Sequence, residues 1–498
     1  MQRHIYLGLA LLWLLTATPL QAAGLDEKVV EHRFKNGLKL LMVARHSSPT
    51  VAAWIRFKVG SVDERSDERG IAHLLEHMLF KGTKTLGTRD YAAEAPLLEQ
   101  IEATAQRLLA EQAKGAKGDR QLIETLERKL DALEKEAQRY TLKDEFFELY
   151  ARNGGSGYNA FTSKDGTTYL ISLPSNKLEL WAAIEADRMK NPVLREFYSE
   201  RSVVMEERRR SYDAEPGAKL WETFVAAAYK AHPYGQPIIG WMPDIAQLSR
   251  TKAEGFLKRF YAPNNAVMAV VGDIDPQAVI ALVERYFGAI PPGTPVPEVA
   301  ISEEPQQGER RVELIGDAEP ELLLGFHKTA LGAPDDAVFD VINALLGQGR
   351  TSRLYRSLVL DKQLASEVAV FTAPGSRYPN LFVLHAAPRA PHTAAEVEQA
   401  LLAELERLKQ EPVTPRELQR ILNKLEYEEA RRMGTNGGLA RNLTEYEAAT
   451  GSWRYLTGYR ARIAQVTPTD IQRVARAWFT RENRIVGTLV KKAPGGTP

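Results

Sequence analysis

The sequence predicts an α+β protein of two homologous domains, each a mainly antiparallel sheet layered with helices. Three observations carry this. Residues 29–43, which alternate about Asn36-Gly37, and residues 50–59 read as strands, and helical segments follow them, as layered sheets and helices require. Residues 291–308 have the Pro, Glu and Gly content of a linker, and the lengths on either side are similar once a helical insertion is set aside. The two parts also end alike: Phe256-Leu-Lys-Arg-Phe-Tyr-Ala-Pro-Asn-Asn-Ala-Val-Met-Ala-Val resembles Val474-Ala-Arg-Ala-Trp-Phe-Thr-Arg-Glu-Asn-Arg-Ile-Val-Gly-Thr, which points to duplication. The predicted boundaries are residues 24–291 and 310–498 for the domains, with residues 292–309 as the linker.

At the N-terminus, Arg3 and His4 precede an apolar run over residues 5–17, and Pro19-Leu-Gln-Ala-Ala23 supplies small residues for cleavage. Residues 1–23 therefore read as a secretory signal peptide. The run falls short of the about 20 apolar residues that span a bilayer. The expectation is a soluble periplasmic protein with no stable membrane anchor. Lys plus Arg total 65 against 64 for Asp plus Glu, so no net field draws nucleic acid or an anionic membrane. Cysteine is absent, which excludes disulfides and thiolate metal sites.

The first chemistry lies in Gly70-Ile-Ala-His-Leu-Leu-Glu-His-Met-Leu-Phe-Lys-Gly-Thr83. Ile71, Leu74, Leu75, Met78 and Leu79 recur at helical spacing, which puts His73 and His77 one turn apart on one face. Two such imidazoles can grip one metal ion, and Glu76 leans toward the same face, where a general base must sit. Zinc suits the pair, with three protein ligands and water in the remaining position. The order His-x-x-Glu-His is the inverzincin signature. A helix whose histidines merely cap a core edge is the competing reading, and it fits poorly in a chain with nine His among 498 residues.

Residues 90–149 carry two apolar stripes, Leu98, Ile101, Ala105, Leu108 and then Leu122, Leu126, Leu130, Leu133, Ala137, separated by Lys114-Gly-Ala-Lys-Gly-Asp119. They read as a helical hairpin inserted in the first domain, either a solvated structural element or a lid or docking arm. Two β-prone runs then flank Lys164-Asp-Gly166, an ordinary hairpin or one whose open edge binds an extended peptide. After a helix over residues 178–189 and a break at Asn191-Pro192, a second helix is predicted over residues 195–211. Glu200 and Glu207 share a face of it, seven residues apart, whereas Glu206 points about 100° away from Glu207. A third ligand must come from outside the histidine helix, and this is the best acidic helix available. Charge on a solvated face is the alternative.

These residues resemble the pitrilysin/insulinase family of zinc peptidases, in the half-length class that includes mitochondrial processing peptidase subunits. The resemblance rests on the His-x-x-Glu-His helix, Asn159-Ala-Phe-Thr-Ser163, the Glu-Arg-x-Val-Val-x-x-Glu segment from Glu200 to Glu207, His232-Pro-Tyr-Gly235 and Ser352-Arg-Leu-Tyr355. It implies one zinc per chain held by His73, His77 and Glu207, with Glu76 activating water and Glu200 orienting a histidine from outside the ligand set. It also implies that Asn159 and Ala160 lie on the edge strand that receives the peptide substrate, and that two halves pair around it.

One departure matters. Family members complete the site with an Arg and, seven residues on, a Tyr that donate to the developing oxyanion, and the matching positions here hold Val359 and Ser366. The expectation is a homologous partner subunit that supplies the Arg and Tyr. Its rival is that Arg353, Tyr355, Arg356 or the Arg377-Tyr378 pair fills the role. The function expected is an exported zinc endopeptidase acting on short or unfolded peptides. The alternative is a non-catalytic assembly or chaperone-like subunit of the same fold.

Overall fold

Two sheets with the same strand order organise the computed structural model, which describes residues 24–492. The signal-peptide segment lies outside the described residues. The first sheet contains β1 (Val30–Arg33), β2 (Lys39–Ala44), β3 (Thr50–Phe57), β4 (Ser156–Thr162), β5 (Thr167–Pro174) and β6 (Ala266–Gly272), ordered β1-β2-β6-β3-β5-β4. The second contains β7 (Arg310–Gly316), β8 (Glu321–Lys328), β9 (Ala365–Ala373), β10 (Asn380–Pro388) and β11 (Arg484–Lys491), ordered β7-β11-β8-β10-β9. Without β1 the two orders match strand for strand. The parallel pair falls at the same place in each, β2 with β6 and β7 with β11, and the other pairs are antiparallel. The similar endings in the sequence are these two equivalent strands, β6 and β11, each preceded by a helix, Arg250–Phe260 and Pro468–Trp478.

Each sheet buries one face under its own helices and the other under a helix from the opposite half. Helix Asn436–Thr450 crosses to the first sheet, where Leu439, Leu443 and the following Trp453 pack with Trp54, Val267 and Val271. In return, helix Pro216–Ala228 covers the second sheet, and Leu220 and Phe224 pack against Leu323, Ile485 and Leu489. Gly325 makes room for this exchange, since a Cβ there would lie 2.5 Å from the Phe224 ring. A polar latch joins the halves as well. Asp165, in the turn between β4 and β5, accepts from the Tyr234 hydroxyl and from the backbone N–H of Ser376, both at 2.6 Å.

No helix or strand lies between helix Pro276–Phe287 and β7. The proline-rich segment there is nonetheless pinned. Glu303 accepts from the backbone N–H groups of Lys230, Ala231 and His232, and Val299 N–H donates to the Tyr378 hydroxyl. The helical hairpin, Tyr91–Gln112 and Arg120–Ala137, is docked by its root. Glu94 forms a buried ion pair with Arg195 at 2.9 Å, and Glu102 accepts from the Tyr198 hydroxyl at 2.6 Å.

β4 is the outermost strand beside β5, and among the described residues no other strand pairs with its far edge. A register shift between Ser156 and Asn159 bends its start.

The exchanged helices make a prediction about cooperativity. Trp453 is fully buried against the first sheet although it belongs to the second half. Trp453→Ala should cost about 3–5 kcal/mol, and hydrogen exchange should show lost protection in β3 and β6 as well as in helix Asn436–Thr450. Loss confined to the second half would contradict the interlock.

Candidate metal centre

Helix Ile71–Met78 is anchored by one face: Ile71, Ala72, Leu74, Leu75 and Met78 are fully buried in the first core. That leaves His73, Glu76 and His77 on the face turned outward, each only partly buried. The facing acidic helix, Phe197–Arg208, starts two residues later than the sequence predicts. Arg195 is drawn inward, donating to the carbonyls of Lys81, Thr83 and Leu86 as well as to Glu94. Past Arg208 the chain widens into a π turn, Arg209–Asp213.

The structure brings His73, His77 and Glu207 together. His73 Nε2 stands 3.7 Å from Glu207 Oε1, and His77 Nε2 stands 3.5 Å from Glu207 Oε2. Candidate ligand atoms from all three lie within 4.8 Å of one another. Tetrahedral ligands about 2.0–2.1 Å from one zinc would be about 3.3–3.4 Å apart, so the two His–Glu207 distances, which run to different carboxylate oxygens, are slightly longer than one ion requires. Glu206 takes no part: it is exposed and paired with Arg209 at 3.1 Å.

Polar neighbours orient these groups. Glu200 Oε1 lies 2.9 Å from His77 Nδ1, and its other oxygen pairs with Lys81 Nζ at 2.6 Å. Because the carboxylate can only accept, the ring proton belongs on Nδ1 and the Nε2 lone pair faces the cluster. Burial raises the Glu200 carboxyl, but the hydrogen bonds from His77 and Lys81 outweigh it and hold it down to about 2. For His77, burial opposes the charge while the bond to Glu200 prevails, and its pKa is raised. His73 is pushed down to about 3 by burial and by the neighbouring His77, which favours its neutral form. Among the described residues its Nδ1 is buried without a partner, so the two histidines are not supported alike.

Glu76 is raised by burial, against a hydrogen bond of 2.6 Å from the Thr162 hydroxyl to its Oε2. Thr162 ends β4, so the would-be base is tied to the edge strand. On that strand Asn159 is exposed and Ala160 buried. A groove of about 620 Å³ adjoins Glu76 and His77, and Phe80, Tyr158, Asn159, Phe147 and Val203 are among its walls. Phe147 and Val203 are 60% and 50% exposed, uncommon for residues of their kind.

Val359 is buried in the second core, and Ser366 lies exposed on β9, bonded to the Ala387 carbonyl. Val359 has no donor to offer, and the Ser366 hydroxyl donates to Ala387 instead. Among the rival candidates, Arg353 is held in a fork by Glu417 at 2.7–3.0 Å, and Arg377 faces Asp63 at 3.8 Å. Two contacts escaped the sequence reading, those of Thr162 and Lys81. Thr162 stands within the motif that carried the resemblance, but nothing in its spacing says that it reaches Glu76.

Comparison with known proteins bears on the family and the fold. The model of the family described as "Insulinase (Peptidase family M16)" matches residues 39–106 and 132–241, and "Peptidase M16 inactive domain" matches residues 247–425. The first match omits residues 107–131, the outer half of the helical hairpin, so the hairpin's root falls within the family match. The chain is 27% identical over 453 residues to the zinc protease PqqE of Helicobacter pylori, covering 89% of each. A crystal structure of a protease from Helicobacter pylori matches with a TM-score of 0.76 at 26% identity, covering 93% of this chain and 99% of that one. The periplasmic protease PqqL from Escherichia coli matches in fold, with a TM-score of 0.68 at 19% identity, over 94% of this chain and 48% of that one.

If Glu200 orients His77, Glu200→Ala should weaken zinc binding by about 10- to 100-fold in competition with a chromophoric chelator. Glu206→Gln should leave it unchanged. Equal affinities for Glu200→Ala and the unaltered chain would remove Glu200 from the site.

Proposed function

Since the chain belongs to the insulinase family, peptidase family M16, we propose that it is an exported zinc-dependent endopeptidase that hydrolyses short or unfolded peptides. The observation that carries this is the convergence of His73, His77 and Glu207 beside a carboxylate, Glu76, that is bonded to the open strand β4. One zinc ion held by the three would polarise a carbonyl and make water acidic. Glu76 takes the proton of the attacking water and returns it to the leaving amine. Thr162 holds one of its oxygens and so aims the other, and the raised pKa brings the carboxylate nearer to neutral operating pH. The His77–Glu200–Lys81 chain fixes one imidazole throughout the cycle.

The substrate lies along the free edge of β4 at Asn159 and Ala160 as an added strand. Backbone bonds make selection depend on extendedness more than on sequence, and the groove beside Phe147 and Val203 accepts side chains next to the cut bond. Because Val359 and Ser366 replace the donors expected for the oxyanion, the chain acts as the catalytic half of a hetero-oligomer whose partner supplies an Arg and a Tyr. The match to about half of the longer PqqL, and to its separately crystallised first half, supports that reading. Among the described residues no helix is long and apolar enough to cross a membrane, in keeping with a periplasmic location.

Glu76→Gln should retain one zinc per chain and lose peptide turnover, because the base goes while the ligands stay. Turnover at the unaltered rate would overturn the assignment of Glu76. The mature chain alone should be slower by about 10²–10³ than when mixed with a homologous companion that lacks His-x-x-Glu-His. A fully active homodimer would refute the partner.

A further inference from the structure

The metal cluster joins two separate helices, so something must set the distance between the histidine pair and Glu207. Helix Ile71–Met78 has only two turns, and helices that short do not hold their own ends in water. Its first N–H groups are met by Glu64, from the loop before it. One Glu64 oxygen accepts from Gly70 N–H and the other from Ala72 N–H, both at 2.9 Å. A carboxyl group spanning these two N–H groups fixes where the helix starts.

The same point is braced from behind. Gly70 and Gly240 both have left-handed backbones, with φ of +88° and +85°, and they touch: a Cβ on Gly240 would lie 2.7 Å from the Gly70 Cα. The Gly240 carbonyl in turn accepts from Arg208 Nη1 at 2.8 Å, while Glu222 grips the same guanidinium at 2.8 and 2.9 Å. Arg208 is the next residue after Glu207. The loop holding Glu64 is also bonded to the turn after β4, through Ser61 N–H to the Ser163 carbonyl and Val62 N–H to the Lys164 carbonyl. The buried Lys164 lies near Glu64 and donates to the Gln236 carbonyl, in the loop that leads to Gly240.

We infer that Glu64 is a positioning residue for the metal centre: with the Gly70–Gly240 contact and Arg208 it forms a strut that fixes the two histidines relative to Glu207. The inference rests on the zinc reading above and adds the device that sets the ligand geometry.

The test uses the full mature chain carrying Glu64→Gln, Glu64→Ala or Gly240→Ala, with Trp453→Ala as a control for lost stability alone. Zinc affinity is read by chelator competition, and ligand geometry by the visible spectrum of the Co²⁺-loaded chain. Glu64→Ala and Gly240→Ala should each bind zinc about 10- to 100-fold more weakly and alter the Co²⁺ bands, with Glu64→Gln in between because an amide oxygen still accepts one bond. Trp453→Ala should melt earlier with both readouts unchanged. If Glu64→Ala does not fold, the isosteric Glu64→Gln decides. Unaltered affinity and spectrum in Glu64→Gln and Gly240→Ala would overturn the inference while leaving the zinc site standing. Failure of the unaltered chain to bind zinc would overturn both.

Discussion

Neither sheet of this chain can bury its outer face with its own helices, and the whole arrangement follows from that shortage. Each half lends one helix to the other, so the two apolar surfaces are closed only together. The exchange also dictates where the site can be. The acidic helix leads through Arg209–Asp213 directly into the exchanged helix Pro216–Ala228, so Glu207 sits at the junction where the first half reaches for the second.

Much of the fold was legible in the sequence because its signals are local. The hairpin at Asn36-Gly37, the two stripes of the helical hairpin and the break at Asn191-Pro192 each depend on a few neighbouring residues, and each stands where the pattern puts it. The duplication was visible from a faint likeness of strand ends, which the matching sheet orders turn into a full correspondence. The exchange of helices was not visible. An amphipathic stripe such as Leu439 to Leu443 says that a face is buried but not against what, and its partners Val267, Val271 and Trp54 lie about 170 to 390 residues away in the chain. The docking of the linker was hidden in a similar way: nothing in its composition says that Glu303 binds three consecutive N–H groups.

The candidate site divides along the same line. His73, Glu76 and His77 share one helix, so periodicity was enough to put them on one face. Spacing narrowed the third carboxylate to Glu200 or Glu207, and only the resemblance chose between them. Thr162, Lys81 and Gly240 act across large sequence separations, and Glu64 reaches only to nearby backbone N–H groups; none of these contacts leaves a periodic trace.

The bend at the start of β4 has a consequence for the molecule as a neighbour of other molecules. An open strand edge is a template for pairing with any extended chain, including another copy of itself. Here the register shift between Ser156 and Asn159, with Gly157 at φ +64°, leaves a regular edge only over residues 159–162. At about 3.4 Å per residue that is about 14 Å of usable backbone. So short a template grips loosely and lets go readily, which keeps the chain from sticking to its own kind and favours rapid turnover of many partners over tight retention of one.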